Sequence, residues 1–121
     1  MALAGRRVLV VEDESLVSMM VEEYLENLGC EVAGSAARLG HALAMAQTLD
    51  LDFAVLDVNL DGELSYPVAE ALRARGVPFL FATGYGVAGL PDALRGAPVL
   101  PKPFRQEQLA EAMRRAAEAG G

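Results

Sequence analysis

Short apolar runs alternate with amphipathic segments along most of the chain. Apolar runs without polar interruption are typical of parallel strands that are covered on both faces. The predicted strands are residues 8–11, a weaker 31–34, 53–56, 79–82 and the very short 99–100. Strands that alternate with helices predict βαβ units and a parallel sheet.

Between these runs, apolar residues recur every three or four positions, as on one face of a helix. The predicted helices cover residues 16–28, 39–49, 67–76 and 106–119. Gly29 follows the first of them, where a helix C-cap is expected. Because right-handed crossovers place helices on both faces of a parallel sheet, the pattern predicts a three-layer sandwich formed by a single domain over residues 1–121.

Residues 85–98 depart from this pattern, because a helix is due there and the composition opposes it. Glycine costs about 1 kcal/mol relative to alanine inside a helix, and proline about 3 kcal/mol unless it begins the helix. Gly86, Gly89 and Pro91 all fall in this segment. We expect at most one or two helical turns, over residues 91–95, after a mobile loop.

Composition and charge narrow the function classes. The formal net charge of −7 argues against nucleic acid or an anionic membrane as the main partner. One cysteine cannot form an internal disulfide, and one histidine excludes multi-histidine metal sites. The apolar runs are too short for a membrane span or a secretory signal, so a cytoplasmic location is expected.

Acidic side chains follow two of the predicted strands. Glu12 and Asp13 follow the first run and Asp57 the third, Thr83 ends the fourth, and the fifth leads to Lys102. Ligands of open parallel sheets bind at the carboxyl ends of the strands, so these side chains should converge. Like charges about 4 Å apart repel by about 4 kcal/mol at an effective dielectric of about 20. Either one carboxyl is therefore protonated or a divalent cation binds, and oxygen ligands suit Mg²⁺.

Four short motifs stand in the order and spacing of a known family. They are Val10-Val11-Glu12-Asp13, Leu56-Asp57, Ala82-Thr83-Gly84 and Lys102-Pro103-Phe104. Through them, essentially the whole chain resembles the receiver domains of two-component response regulators. The resemblance implies a flavodoxin-like α/β fold with a five-stranded parallel sheet of order 2-1-3-4-5, and a cis Lys102–Pro103 bond.

The same resemblance implies roles for the acidic residues. Asp57 corresponds to the phosphoryl acceptor, and Asp13 and Asp57 to direct Mg²⁺ ligands, together with the backbone carbonyl of Asn59. Glu12 would reach the metal directly or through water. Lys102 would neutralise charge on the transferring phosphoryl group, to which the hydroxyl of Thr83 would donate a hydrogen bond.

A function follows from these roles. The resemblance implies a phosphorelay receiver that takes its phosphoryl group from a sensor histidine kinase or a histidine phosphotransfer protein. Such a domain is a signalling module rather than an enzyme. Its output would be a switched contact with an unknown downstream protein, or the draining of phosphate from a shared kinase.

A narrower resemblance concerns residues 78–85. They match the PFxFATGY signature of the FAT GUY subfamily, whose members are stand-alone bacterial receivers with a reduced fourth helix, paired with HWE-type kinases. Ordinary receivers carry an aromatic switch residue three positions before the lysine, and here that position is Val99. We therefore expect either that Tyr85 takes over the switch, or that the loop of residues 85–98 orders when the phosphoryl group recruits Thr83.

Three other functions stay open at this point. A haloacid-dehalogenase-like phosphatase also uses an aspartate nucleophile with Mg²⁺, but it needs a second aspartate where this chain has Asn59. A flavodoxin would have to hold a phosphate beside Glu12, Asp13 and Glu14, which would repel it. A degenerate receiver that acts only in docking would not need the complete set of acids, threonine and lysine.

Overall fold

The elements of the fold follow the predicted order along the chain. A computed structural model of the protein describes residues 2–84, 94 and 96–120. The elements are β1 (Arg7–Val11), α1 (Ser15–Asn27), β2 (Glu31–Ala36), α2 (Leu39–Thr48), β3 (Phe53–Leu56), β4 (Asn59–Leu60), β5 (Glu63–Leu64), α3 (Tyr66–Ala74), β6 (Phe79–Thr83), β7 (Val99–Pro101) and α4 (Gln106–Gly120). No helix in these described ranges is long and apolar enough to cross a membrane.

Five parallel strands form the main sheet, in the order β2-β1-β3-β6-β7. With the two-residue strands β4 and β5 set aside, this is the predicted order 2-1-3-4-5, so the flavodoxin-like fold is confirmed. The order of the strands reverses between β1 and β3. The carboxyl ends of these two strands therefore flank the crevice in which ligands of such sheets bind.

Two apolar cores cover the sheet, one on each face. Helices α2 and α3 pack over the core that contains Leu9, Leu56 and Phe81, whereas α1 and α4 pack over the core that contains Val10 and Leu80. All five residues of β6 are buried. Burial on both faces is the physical reason why the strands read as uninterrupted apolar runs.

Gly29 ends α1 as predicted. It has a φ of 87°, in the left-handed region that favours glycine. The Gly29 N–H donates to the Glu26 carbonyl and the Cys30 N–H to the Leu25 carbonyl, which closes the helix end in a Schellman motif. A Cβ at this position would also lie 3.3 Å from the Cα of Ala4. The chain therefore turns here directly into β2.

A short hairpin between β3 and α3 is absent from the predicted elements. Strands β4 and β5 pair antiparallel around the two-residue turn Asp61-Gly62, whose φ angles are 52° and 91°. Two left-handed residues form the turn that favours Asn-Gly and Asp-Gly sequences. Each arm is two residues long, which is too short for a hydrophobic periodicity to mark it as a strand. The signal for a hairpin in this part of the sequence is the Asp-Gly pair.

Residues 85–98, where the alternation of strands and helices would call for a helix between β6 and β7, lie mostly outside the described residues. Residues 85–93 and 95 are not described, so both the expected turns over residues 91–95 and the switch role of Tyr85 stay predictions. Leu94 is fully buried and belongs to the core under α2 and α3. Val99, in β7, is half-buried against the same core.

Candidate functional site

Three carboxylates converge at the carboxyl ends of β1 and β3. Each of Glu12, Asp13 and Asp57 offers an oxygen, and these oxygens all lie within 4.8 Å of one another. The Asp57 N–H donates to the Val11 carbonyl at 2.8 Å, which fixes the two strand ends side by side. The predicted convergence of these three carboxylates is therefore confirmed. Asp13 and Glu12 precede Asp57 by 44 and 45 positions in the sequence.

Lys102 is the chain's only lysine, and it reaches into this cluster. Its Nζ lies 2.5 Å from Glu12 Oε1 and 3.4 Å from Asp57 Oδ2. The Lys102 N–H donates to the carbonyl of Thr83 at 2.9 Å, so the ends of β6 and β7 place the lysine. The Lys102–Pro103 bond is cis, as the resemblance implied.

Burial and neighbouring charges set the protonation of this group. Burial raises the pKa of Glu12 to about 7, because desolvation outweighs the lowering effect of the hydrogen bond from Lys102, and Asp57 adds to the rise. Burial lowers the pKa of Lys102, but the hydrogen bonds and charges of Glu12 and Asp57 bring it above its ordinary value. The lysine therefore stays charged, and Glu12 takes a proton near neutral pH in the metal-free protein.

This protonation predicts a pH dependence of stability. Folded Glu12 holds its proton up to pH about 7, whereas an ordinary glutamate releases it near 4.5. The free energy of unfolding should therefore fall as pH rises through this window, because the folded state binds more protons than the unfolded state. Urea unfolding in EDTA should show this fall for the native protein and the exposed-site control Glu70→Gln, but a flatter profile for Glu12→Gln. Equal slopes in all three would contradict it.

The β4–β5 hairpin lies against the acidic cluster. The Asp61 N–H donates to Asp13 Oδ2 at 3.0 Å, and the Asn59 N–H lies 3.4 Å from Asp57 Oδ1. Behind it, the fully buried Ser65 donates its hydroxyl to the Asp57 carbonyl at 2.5 Å. Neither Asp61 nor Ser65 was among the site residues predicted from the sequence. The only local signal in this segment is the turn-forming pair Asp61-Gly62, and it predicts a turn but not a contact with the acidic cluster.

A cleft of about 660 Å³ opens over the cluster. Its lining residues are Asp13, Glu14, Val17, Met20, Asp57, Asn59, Gly84, Lys102 and Pro103. Asp57 and Lys102 therefore face the same space, which is large enough for a phosphoryl group. Among the residues that the structure describes, none has an atom within 4 Å of a Cβ added at Gly84.

The donor set fits a hard divalent cation. The cluster brings three carboxylates together against one ammonium group, so it lacks positive charge. Ligands of one Mg²⁺, at bonds of about 2.1 Å, lie within about 4.2 Å of one another, and the three carboxylates offer oxygens within 4.8 Å of one another. Asp13, Asp57 and Asn59 line the cleft, whereas Glu12 is buried beneath it.

Thr83 lies at the end of β6, where the sequence analysis placed it. The residue is 3% exposed, and its neighbour across the sheet is Pro101, one residue before Lys102. The structure thus brings Asp13, Asp57, Asn59 and Lys102 to one cleft, with the buried Glu12 in contact with Lys102, and sets Thr83 at the adjoining strand end. Tyr85 lies outside the described residues.

Comparison with known proteins agrees with this geometry. The family model of the response regulator receiver domain matches residues 8–114. The solution structure of SdrG from Sphingomonas melonis Fr1 is 43% identical, with a TM-score of 0.80 over 94% of this chain and 97% of that one. The receiver domain of the sensor histidine kinase PA1611 from Pseudomonas aeruginosa PAO1 is 26% identical, with a TM-score of 0.80 over 95% and 99%. In that structure a magnesium ion is coordinated in the active site cleft.

A curated relative is longer than this chain. The transcriptional regulatory protein PdtaR of Mycobacterium tuberculosis is 29% identical over 116 residues, which cover 93% of this chain and 57% of PdtaR. The chain therefore spans little more than half of that relative.

Proposed function

The chain belongs to the response regulator receiver domain family, and on that premise we propose that Asp57 accepts a phosphoryl group from a phosphohistidine donor. The observation that carries the proposal is the position of Asp57 in the cleft. Its carboxylate lies beside Glu12 and Asp13 and 3.4 Å from the Lys102 ammonium. An anionic nucleophile and a compensating cation thus face one space.

The proposed transfer is a substitution at phosphorus. A carboxylate oxygen of Asp57 forms a bond to the phosphorus while the P–N bond of the phosphohistidine breaks, and the electron pair of that bond returns to the imidazole nitrogen. The Lys102 ammonium donates to a phosphoryl oxygen and stabilises the charge there, while Glu12 holds the lysine in place. Asp13, Asp57 and the backbone carbonyl of Asn59 would hold Mg²⁺, with Glu12 nearby, and the ion would supply positive charge that offsets the repulsion between the two anions.

Thr83 and Gly84 complete the proposed phosphoryl site. The hydroxyl of Thr83 would donate to a phosphoryl oxygen after transfer, and Gly84, which lines the cleft without a side chain, would leave space for the group. With Val99 in place of the usual aromatic residue, the switch role passes to Tyr85. We also propose that the chain is a member of the FAT GUY subfamily of stand-alone receivers.

The donor is proposed to be a sensor histidine kinase, of the HWE type, or a histidine phosphotransfer protein. Leu16 and Met19 on α1 are 81% and 64% exposed, next to the mouth of the cleft. Acidic residues surround them: Glu22, Glu23 and Glu26. A donor with an apolar contact patch and a basic rim fits this surface, and the cytoplasm is the expected place of the encounter.

The output is proposed to be a phosphorylation-dependent protein contact or a phosphate sink. The chain is proposed to act as a signalling domain rather than as an enzyme. The phosphatase alternative needs a carboxylic acid two residues after Asp57. Asn59 occupies that position, and its side-chain oxygen accepts the Gly62 N–H at 2.7 Å, so it supplies no acidic proton.

Metal removal tests the proposed transfer. The protein is incubated with acetyl phosphate, with and without Mg²⁺, and its intact mass is measured. We expect one phosphoryl adduct with Mg²⁺, almost none in EDTA, and loss of the adduct in hydroxylamine, which cleaves acyl phosphates. An adduct that is independent of Mg²⁺ or stable to hydroxylamine, or no adduct at saturating Mg²⁺, would contradict the proposal.

A further inference from the structure

We propose that the β4–β5 hairpin is a positioning element for the metal site: the backbone N–H of Asp61 holds Asp13 Oδ2 and thereby sets how Asp13 meets Mg²⁺. The inference rests on the proposed function, because it assumes that Asp13 is a metal ligand. The role belongs to a main-chain group. It therefore depends on the conformation of the turn and not on the side chain of Asp61.

The turn is held in the conformation that this role needs. Asp61 and Gly62 have φ angles of 52° and 91°, and the arms pair Asn59 with Leu64 and Leu60 with Glu63. Both turn amides donate hydrogen bonds. The Asp61 N–H donates to Asp13 Oδ2 at 3.0 Å, and the Gly62 N–H donates to Asn59 Oδ1 at 2.7 Å. The second bond closes the turn and fixes the direction of the first.

The base of the hairpin is anchored to the acceptor strand. Leu60 is 1% exposed in the core, and the Ser65 N–H donates to the Val58 carbonyl at 2.9 Å. The Ser65 hydroxyl donates to the Asp57 carbonyl. The turn therefore projects over the site from a fixed base.

The position of the Asp13 carboxylate depends on this turn more than the positions of Glu12 and Asp57 do. Lys102 holds both Glu12 and Asp57, and the Glu14 N–H donates to Glu12 Oε2 at 3.1 Å. Asp13 is only partly buried, and among the described residues the hydrogen bond to its carboxylate comes from the Asp61 N–H. Mg²⁺ demands near-ideal octahedral geometry, so a ligand that is free to rotate binds it less well. Loss of such a supporting bond typically weakens metal affinity about 10- to 100-fold.

The test is the substitution Gly62→Val, with Gly76→Val as its matched control. Both glycines have positive φ, 91° and 72°, and a Cβ at either position would meet nothing within 4 Å. Both substitutions therefore act through backbone strain, since a β-branched residue disfavours this region. Gly76 follows α3 and takes no part in the cleft lining. Isothermal titration calorimetry should show about 10- to 100-fold weaker Mg²⁺ binding for Gly62→Val and little change for Gly76→Val.

Two further readouts separate positioning from general damage. In the metal-free protein, the Asp61 amide should exchange with solvent faster in Gly62→Val than in Gly76→Val. At saturating Mg²⁺, labelling of Gly62→Val by acetyl phosphate should return to the wild-type rate, because the variant keeps both Asp57 and Lys102, and Lys102 still contacts Asp57 from outside the hairpin. If Gly62→Val does not fold, Gly62→Ala imposes a smaller strain in the same direction.

The outcomes that overturn the inference are distinct from those that overturn the function. Equal Mg²⁺ affinity in folded Gly62→Val and Gly76→Val would overturn the positioning role. A labelling deficit that persists at saturating Mg²⁺ would also overturn it, because the hairpin would then act on the acceptor. A wild-type protein that binds no Mg²⁺ and takes no phosphoryl group would overturn the proposed function itself.

Discussion

Asp57→Asn is expected to abolish phosphoryl incorporation from acetyl phosphate. The asparagine side chain has nearly the same shape but lacks the anionic oxygen that must attack phosphorus. The substitution also removes a negative charge that lies close to Glu12 and Asp13, so the free energy of unfolding of the metal-free protein should rise. Intact mass should show no adduct on the variant under conditions that label the native chain fully.

Asp50→Asn is the matched control for this prediction. Asp50 is exposed and contacts Arg7 through its backbone carbonyl, so the substitution changes the charge equally without touching the cleft. We expect it to be labelled like the native protein. Equal labelling of Asp57→Asn and Asp50→Asn would show that another residue accepts the phosphoryl group.

Lys102→Ala is expected to slow phosphorylation by roughly 100- to 1,000-fold, the usual effect of losing one charge-stabilising donor. The loss also removes the hydrogen bond that lowers the pKa of Glu12, so Glu12 should hold its proton to a pH above about 7. Because that proton relieves the repulsion within the cluster, the variant should still fold. The rate of adduct formation is measured by intact mass at saturating Mg²⁺, with circular dichroism to confirm the fold.

Arg105→Ala removes the same charge three residues away, from a side chain that is 81% exposed. Its phosphorylation rate should stay near that of the native protein, because exposed charges are screened by solvent. A folded Lys102→Ala protein that is labelled as fast as Arg105→Ala would show that the lysine does not act on the transferring group.

The sheet and the location of the site could be predicted because both depend on patterns within short segments. The strands are covered on both faces, so each of them reads as an apolar run, and the residue that ends each run must lie at the same edge of the sheet. This is why the amino-acid sequence is sufficient to place Asp57, which follows β3, together with Glu12, which follows β1.

The contacts within the site could not be predicted in the same way. The sequence indicates that Lys102 offsets one carboxylate but not which one. The structure places the ammonium 2.5 Å from Glu12 and 3.4 Å from Asp57. That choice depends on side-chain rotamers and on burial, which residue spacing does not encode. The support of Asp13 by the Asp61 amide depends on a hairpin whose arms are too short to leave a periodic signal.

Borohydride reduction of the phosphorylated protein tests the central claim most directly. Hydride reduces the acyl carbon of an aspartyl phosphate to an alcohol and releases phosphate, so the phosphorylated aspartate becomes homoserine. Tandem mass spectrometry of the digested protein then identifies the position. We predict homoserine at position 57 and aspartate at position 13. Homoserine at any other aspartate, with position 57 unchanged, would contradict the account.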